Sequence, residues 1–492
     1  MPLKSPILLL PLAPLVVAAA FAGCGASTGI GSIALDADAS SIDALADTSS
    51  TTDTSTDTPA DYSFADAAST SARAVAVGPS FACALLASGL VDCWGAIFIG
   101  NPPTPSMCGG TNSCFTTPVQ MPGFSHAVAI AAGNGYICGV LEQAGAEDGS
   151  SATAVECLGD NVAGELGSNA LYTAYSTTPM AVQSLYGVTA ITAGGRHTCT
   201  VLGDRASASA GTVQCWGDDE FGELGNGSLG PDQCGSAGAC ALAPVAVENL
   251  SQVVSVAAGV EHTCALLSGG SVACWGDNSY GELGNGGFAG PDTCGTLPCA
   301  QSPVMVPNLS GVASIAAGGY HSCAVLTDRT VECWGRNDSG ELGLGLATGP
   351  QSCLKGTYCA TAPTPVPGLT GVVALALGNA HSCALLADRT VQCWGLAGGG
   401  ELGNGNSTGP DACNGASPPA ACSTNPVKVS ALDHVVQLAA GSLSSCAVLS
   451  NGTVDCWGDN TLGELGDGTS EGPEQCAGAP CSTTPVLVGL GL

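Results

Sequence analysis

The stretch Ser314-Ile-Ala-Ala-Gly-Gly-Tyr-His-Ser-Cys323-Ala-Val-Leu-Thr-Asp-Arg-Thr-Val-Glu-Cys333-Trp334-Gly335 decides how this chain folds. A small-apolar run ends at two glycines, and Cys-x-Val then mirrors Val-x-Cys about Asp328. Apolar residues alternating with period two on either side of a polar turn predict an antiparallel hairpin. Folding about Asp328 sets Cys323 opposite Cys333 and Val325 opposite Val331, and cysteines at opposed positions can bridge without moving the backbone.

The block recurs seven times, its first cysteine at 83, 138, 199, 264, 323, 383 and 446, at intervals of 55 to 65 residues. Residues 73–492 divide into seven units averaging 60 residues, a repeat architecture in which each unit buries its apolar face against its neighbours. The hairpin register predicts disulfides Cys83–Cys93, Cys138–Cys157, Cys199–Cys215, Cys264–Cys274, Cys323–Cys333, Cys383–Cys393 and Cys446–Cys456. Extra residues in the second and third copies, Glu142–Thr153 and Asp204–Thr212, fit at the hairpin tip. All six tryptophans (94, 216, 275, 334, 394 and 457) share one slot, and Leu158 fills it in the second copy.

A further cysteine pair follows every block but the second: Cys108–Cys114, Cys234–Cys240, Cys294–Cys299, Cys353–Cys359, Cys413–Cys422 and Cys476–Cys481. Seven hairpin and six loop pairs use 26 of 27 cysteines and leave Cys24 over. Zinc is the competing use of cysteine, but it asks for quartets of Cys or His at short spacing. One pair per hairpin suits bridges in an oxidising compartment better, so no metal and no cofactor is expected.

The rest of the chain agrees with export. Lys4 precedes an apolar run from Ile7 to Phe21, then Ala22, Gly23 and Cys24. A positive start, a short apolar stretch and small residues before a cut predict a signal peptide over 1–23. Phe-Ala-Gly-Cys resembles a bacterial lipobox, with Phe21 where Leu is usual, which implies lipid attachment at Cys24. Gly25 after the cysteine implies the outer membrane. Residues 24–72 are rich in Ala, Ser, Thr and Asp, with eight Asp and no Lys or Arg between 25 and 72, and predict a disordered tether. The whole chain carries 40 acids against nine bases, a net charge of −31, which argues against nucleic acid and leaves the lipid as the membrane contact.

The ordered string Ala-Gly-x-x-His-Ser/Thr-Cys-Ala, Val-x-Cys-Trp-Gly, Asp-Asn-x-x-Gly-Glu-Leu-Gly and Pro-Val resembles the repeat of the regulator of chromosome condensation family. The resemblance covers about 73–492 and implies an all-β, seven-bladed β-propeller. The chain departs from the family by having Glu165, Glu223, Glu282, Glu341, Glu401 and Glu464 where Gln is usual. The first copy also lacks that turn, reading Trp94-Gly-Ala-Ile-Phe-Ile-Gly-Asn. The chain ends on Pro485-Val486-Leu487-Val488, and the strand Ala74–Gly78 has no Pro-Val ahead of it. The amino-terminal strand is therefore expected to complete the last blade, closing the ring and removing exposed edges.

His197, His262, His321 and His381 stand two residues before a hairpin cysteine, where other copies have Phe81, Tyr136 and Ser444. A role repeated in four copies and replaced by Phe in another reads as packing with one hydrogen bond. One Trp per blade reads as packing between sheets, and a lectin-like stacking platform is the alternative. The Asp-Asn-x-x-Gly-Glu turns read as Asn/Gly turns, with calcium as the alternative. No nucleophile elbow, P-loop or zincin motif is present. The disulfide loops carry Asp232, Asp292, Asp411 and Glu474, candidate binding acids for a basic partner. The expectation is a monomeric, non-catalytic protein-interaction scaffold on the cell envelope, with an unknown envelope or secreted protein as partner. Its architecture is similar to secreted propellers of this family that inhibit β-lactamases. The alternative is a carbohydrate-binding or carbohydrate-active propeller.

Overall fold

The computed structural model describes residues 21–23, 26–28, 70–97, 106–108, 112–143, 152–170, 174–203, 211–413 and 420–491. Each cysteine repeat forms one antiparallel sheet built from consecutive chain, giving seven blades. In the fifth blade the innermost strand is Val312–Ala317, followed outward by His321–Leu326, Val331–Arg336 and Tyr358–Pro365, with Gln351–Ser352 on the outer edge. Innermost strands of successive blades lie side by side around the ring, and Ala72–Val77 meets Val435–Ala440 to close it. The fold is an all-β, seven-bladed propeller with bridged cysteines in every blade.

Position in the blade explains the sequence of each strand. The second strand is covered on both sides by neighbouring blades, so Phe81–Leu86 reads as an unbroken apolar run and is buried throughout, as strands buried on both faces do. The outermost long strands, such as Leu297–Met305, are half buried and mix polar with apolar residues. Small residues such as Ala316 and Ala317 line the innermost strand, where the blades converge.

The hairpin register is Cys323 to Cys333 and Val325 to Val331. The seven hairpin pairs are bridged with Cα–Cα separations of 4.0–4.1 Å. Trp334 then falls at a bulge: the outer pairing steps from Cys333–Thr364 to Gly335–Ala360, which turns the strand end and re-aims its side chains.

The loop cysteines build an element that the sequence reading treated as loop. Each pair joins a short fifth strand to the fourth, as where Asp292–Cys294 pairs with Leu297–Met305. These bridges have Cα–Cα separations of 5.8–5.9 Å. Among the described residues the second blade, which lacks the cysteines, has four strands. The fifth strand covers part of a sheet edge that would otherwise offer unpaired backbone groups to other chains.

Ring closure differs from expectation. The carboxy-terminal strand Ala479–Leu487 pairs with Val454–Asp459 of its own blade, Cys456 against Val486. Ala72–Val77 is the innermost strand of the first blade. The Pro-Val segment is thus the fourth strand of the blade before it, and no strand is exchanged. The ends meet through contacts instead: the Ala72 N–H donates to the Gly452 carbonyl, and the Gln437 side chain bonds both the N–H (2.8 Å) and the carbonyl (3.1 Å) of Val75. In the second blade the insertion also lengthens the hairpin, which stays paired out to Gln143–Ala152. Within the expected leader and tether, Phe21–Gly23 pairs with Ala26–Thr28; Cys24 lies outside the described residues.

Chain-entropy arguments give the bridges a graded worth. Replacing Cys323 and Cys333 together by Ala is expected to lower unfolding free energy by about 2–3 kcal/mol, and replacing Cys294 and Cys299 by about 2 kcal/mol. Urea titration under non-reducing conditions measures both; a hairpin pair whose removal costs nothing contradicts this account.

Candidate interaction face

Strand three of each blade ends, and strand two begins, at one face of the ring, where the fifth-strand loops also lie. What this face can offer depends on which groups the seams between blades consume. The tryptophans are consumed: all six are fully buried. The Trp334 indole N–H donates to the Glu282 carbonyl of the preceding blade at 2.7 Å. The same bond joins Trp216 to Glu165, Trp275 to Glu223, Trp394 to Glu341, Trp457 to Glu401 and, across the closure, Trp94 to Glu464. A buried indole with its donor satisfied is a packing element. The Gly after each Glu-Leu lies on that indole: Gly343 has φ 68°, and a Cβ there would come within 2.9 Å of the Trp394 ring, so only glycine fits.

One seam has no such bond, and both halves are lost together. The first blade lacks the Glu turn, and the second has Leu158 in the Trp slot; Ile97 and Leu158 share one apolar cluster instead. The two departures visible in sequence are thus two sides of a single contact.

The histidines belong to the same seams. His197 Nε2 lies 2.8 Å from the Thr263 hydroxyl of the next blade; His262 meets Ser322, His321 meets Ser382 and His381 meets Ser445 at 2.8–2.9 Å. The Ser382 hydroxyl donates to the Glu341 carbonyl, so it accepts from His321, which fixes the proton on Nε2. Burial lowers His197, His262 and His321 to about 3 and His381 to about 4. Tyr136 replaces the imidazole with an O–H donating to the His197 carbonyl.

Each turn glutamate caps its own turn. Glu282 Oε2 accepts the Tyr280 N–H and Glu341 Oε2 accepts the Ser339 N–H, both at 2.8 Å. Oε1 of Glu165 and of Glu282 is buried without a hydrogen-bond partner. Burial raises Glu165, Glu341 and Glu401 to about 7 and Glu464 to about 8, and pushes Glu223 and Glu282 well above the ordinary value. Burial in the turn interior favours the uncharged form of these carboxyls, the isosteric counterpart of glutamine.

The loop acids are also partly committed. Asp232 accepts from the Leu242 N–H, Asp292 from the Gln301 N–H, Asp411 from the Thr424 N–H and hydroxyl, and Glu474 from the Thr483 hydroxyl. Gln351 does the same for Thr361 in the fifth blade. Their immediate role is to tie the fifth strand to the fourth. Glu474 also lies beside Cys476 and Cys481, but those sulfurs are joined to each other.

One cluster escaped the sequence reading. Between the fourth and fifth blades, Tyr280 and Tyr320 stack edge to face with ring centroids 5.3 Å apart. The Arg336 guanidinium lies 5.8 and 6.0 Å from their ring centres, and its Nε donates to Asp338 at 2.9 Å. The available signal was Arg336 standing where four other copies have Asp; nothing local linked it to tyrosines 16 and 56 residues away.

Comparison with known proteins places these seams in context. The family model for the RCC1-like domain matches residues 154–491. Human E3 ubiquitin-protein ligase HERC2 is 32% identical over 308 residues, covering 60% of this chain and 5% of that protein. Protein pim1 of Schizosaccharomyces pombe is 31% identical over 208 residues, covering 41% of this chain and 37% of that protein. The chain therefore spans well under two thirds of these relatives. Among solved structures, Prp20p from Saccharomyces cerevisiae has a TM-score of 0.58 at 21% identity, over 79% of this chain and 83% of that one. Yeast RCC1 (Prp20) with Kap60 bound gives 0.61 at 19%, over 91% and 92%. These structures share the fold.

The acids and imidazoles set opposite limits on pH. The carboxyls titrate higher in the native state than when unfolded, so their stabilisation is full below their unfolded value of 4.5 and is lost as pH rises through about 7–8. The imidazoles titrate lower, so theirs is full above 6.5 and is lost as pH falls toward 3. Melting temperature is expected to peak between pH 4.5 and 6.5. Replacing Glu282 and Glu341 by Gln should flatten the alkaline limb and leave the acid limb alone; parallel loss on both limbs contradicts the assignment.

Proposed function

The chain belongs to the family of the RCC1-like domain, and on that premise we propose that it is a non-catalytic protein-interaction scaffold. In this reading it is exported and anchored to the outer membrane of a bacterial envelope by a lipid on Cys24. Residues 1–23 are the leader, 24–72 an acidic tether, and 73–492 the propeller, which works as a monomer. Its partner is another envelope or secreted protein, bound through the loops on one face.

The observation that carries this reading is the fate of the aromatic and titratable groups. Six indoles and four imidazoles are spent on seams, while the same face presents loops pinned by disulfides. Pinned loops on a rigid frame lose little entropy on contact, which favours recognition. Protein partners are named for similar propellers, as with Kap60 on yeast RCC1, an analogy of architecture alone. A sugar-binding role for the tryptophans needs them exposed as stacking platforms, and they are buried.

Two measurements test the reading. Substituting Cys24→Ala should move the chain from membrane to soluble fractions and abolish incorporation of a labelled fatty acid; unchanged partitioning contradicts the anchor. Crosslinking in envelopes should join the chain to one discrete protein. That product should vanish when Cys294 and Cys299 are replaced by Ser and survive Asp328→Ala and Asp388→Ala at the opposite hairpin tips. Retention on polysaccharide, or equal sensitivity of both faces, contradicts it.

A further inference from the structure

Among the described residues, three features of the loop face fall on the third to fifth blades, two of them on the seam between the fourth and fifth. First, the tip leading into the fifth strand is apolar and exposed in three consecutive blades: Leu229, Phe288 and Leu346 are 36%, 43% and 61% exposed. The sixth and seventh blades carry Asn406-Ser-Thr408 and Thr469-Ser-Glu471 there. Second, an open cleft of about 330 Å³ lies between blades four and five, lined by Phe288, Asp292, Thr293, Thr296, Pro298 and Leu354. Third, the Tyr280–Tyr320–Arg336 cluster occupies the same seam. Equivalent positions elsewhere hold no such trio; at the next seam they are Ser339, Ala380 and Leu396. Tyrosine and arginine held in place by packing are the side chains that most often anchor protein contacts.

The walls of the cleft are fixed before any partner arrives. Cys294–Cys299 closes one side and Cys353–Cys359 the other. Asp292 is held by the Gln301 N–H, and Asp338, which holds Arg336, also accepts the Tyr358 N–H at 2.9 Å. Charge sets the partner's sign. Residues 211–365 hold 14 acids against three bases, and ten acids remain when Asp219, Glu223, Glu282 and Glu341, whose burial favours the uncharged form, are set aside. Of those bases, Arg329 sits in the turn at the opposite hairpin tip and Arg336 is paired with Asp338.

We propose that this seam is the docking site of the scaffold: it takes a protein segment whose aromatic or aliphatic anchor enters the cleft between Phe288 and Leu354. The anchor is flanked by Lys or Arg that meet the surrounding acids. This deepens the loop-face reading above and rests on it. Apolar burial in a pinned cleft supplies most of the affinity, and the cationic flanks supply orientation and a salt-dependent association rate.

A phage-displayed library of random peptides about 12 residues long, roughly the span of an extended segment across two blades, panned on the full chain, tests this directly. Enriched peptides should pair an aromatic or aliphatic residue with two or more Lys or Arg. Their binding should weaken at least about tenfold in the Phe288→Asp, Leu346→Asp double variant, and again as salt rises past the screening range. The Tyr186→Asp variant, altered at an exposed residue of the opposite face, should bind normally. No enrichment, enrichment of acidic or uncharged peptides, or indifference to the double variant overturns the proposal. Binding lost instead to Asn406→Arg with Thr469→Arg leaves the loop-face reading standing and this site refuted. Binding lost to Tyr186→Asp refutes both.

Discussion

A bond from one blade's indole N–H to the main-chain carbonyl of the preceding blade's glutamate is the contact on which the remaining structure hangs. It occurs at six of seven seams. It explains why tryptophan sits at a bulge, why the turn facing it ends in Gly at positive φ, and why a Ser or Thr hydroxyl and an imidazole cluster around the same carbonyl. A buried carbonyl with several donors aimed at it is satisfied, and a network of that kind fixes relative orientation more sharply than apolar contact does. Disulfides do a different job: all 13 lie within single blades. Covalent chemistry makes each blade rigid, and polar packing sets the angle between blades.

The buried glutamates follow from that division. Their carbonyls accept across the seam while their side chains cap the turn from inside, so the turn interior demands an uncharged acceptor with little room around it. Glutamine meets the demand outright. Glutamate meets it in its protonated form, which burial favours. Asp219 shows the same compromise four positions before Glu223, replacing the turn asparagine and raised to about 7 by burial.

Much of this was legible in the sequence because the repeat was. Hairpin register, cysteine pairing within hairpins, one tryptophan slot and the packing role of histidine all follow from period-two alternation read seven times over. What could not be read were relations between blades. Phe81 before Ile137, Tyr136 before Thr198 and His321 before Ser382 are matched pairs about 60 residues apart, and a single chain gives no register for a contact across a seam. The fifth strand was missed because two or three residues ending at or just before a cysteine carry no alternation. The expected strand exchange at closure failed for a related reason: the Pro-Val segment was assigned to the repeat it leads into, whereas its hydrogen bonds go back to the Cys-Trp-Gly strand.

Function rests on subtraction followed by asymmetry. Groups that look reactive in sequence are absorbed by the seams, and seven near-equal blades leave few places where one seam differs from the rest. The indole protons report most directly on whether the seams are built this way. Hydrogen exchange at the six side-chain N–H groups, followed by nuclear magnetic resonance on nitrogen-labelled tryptophan, should find all six exchanging only as fast as the ring opens. Rapid exchange of several indoles in the native state would place them at the surface and contradict the account.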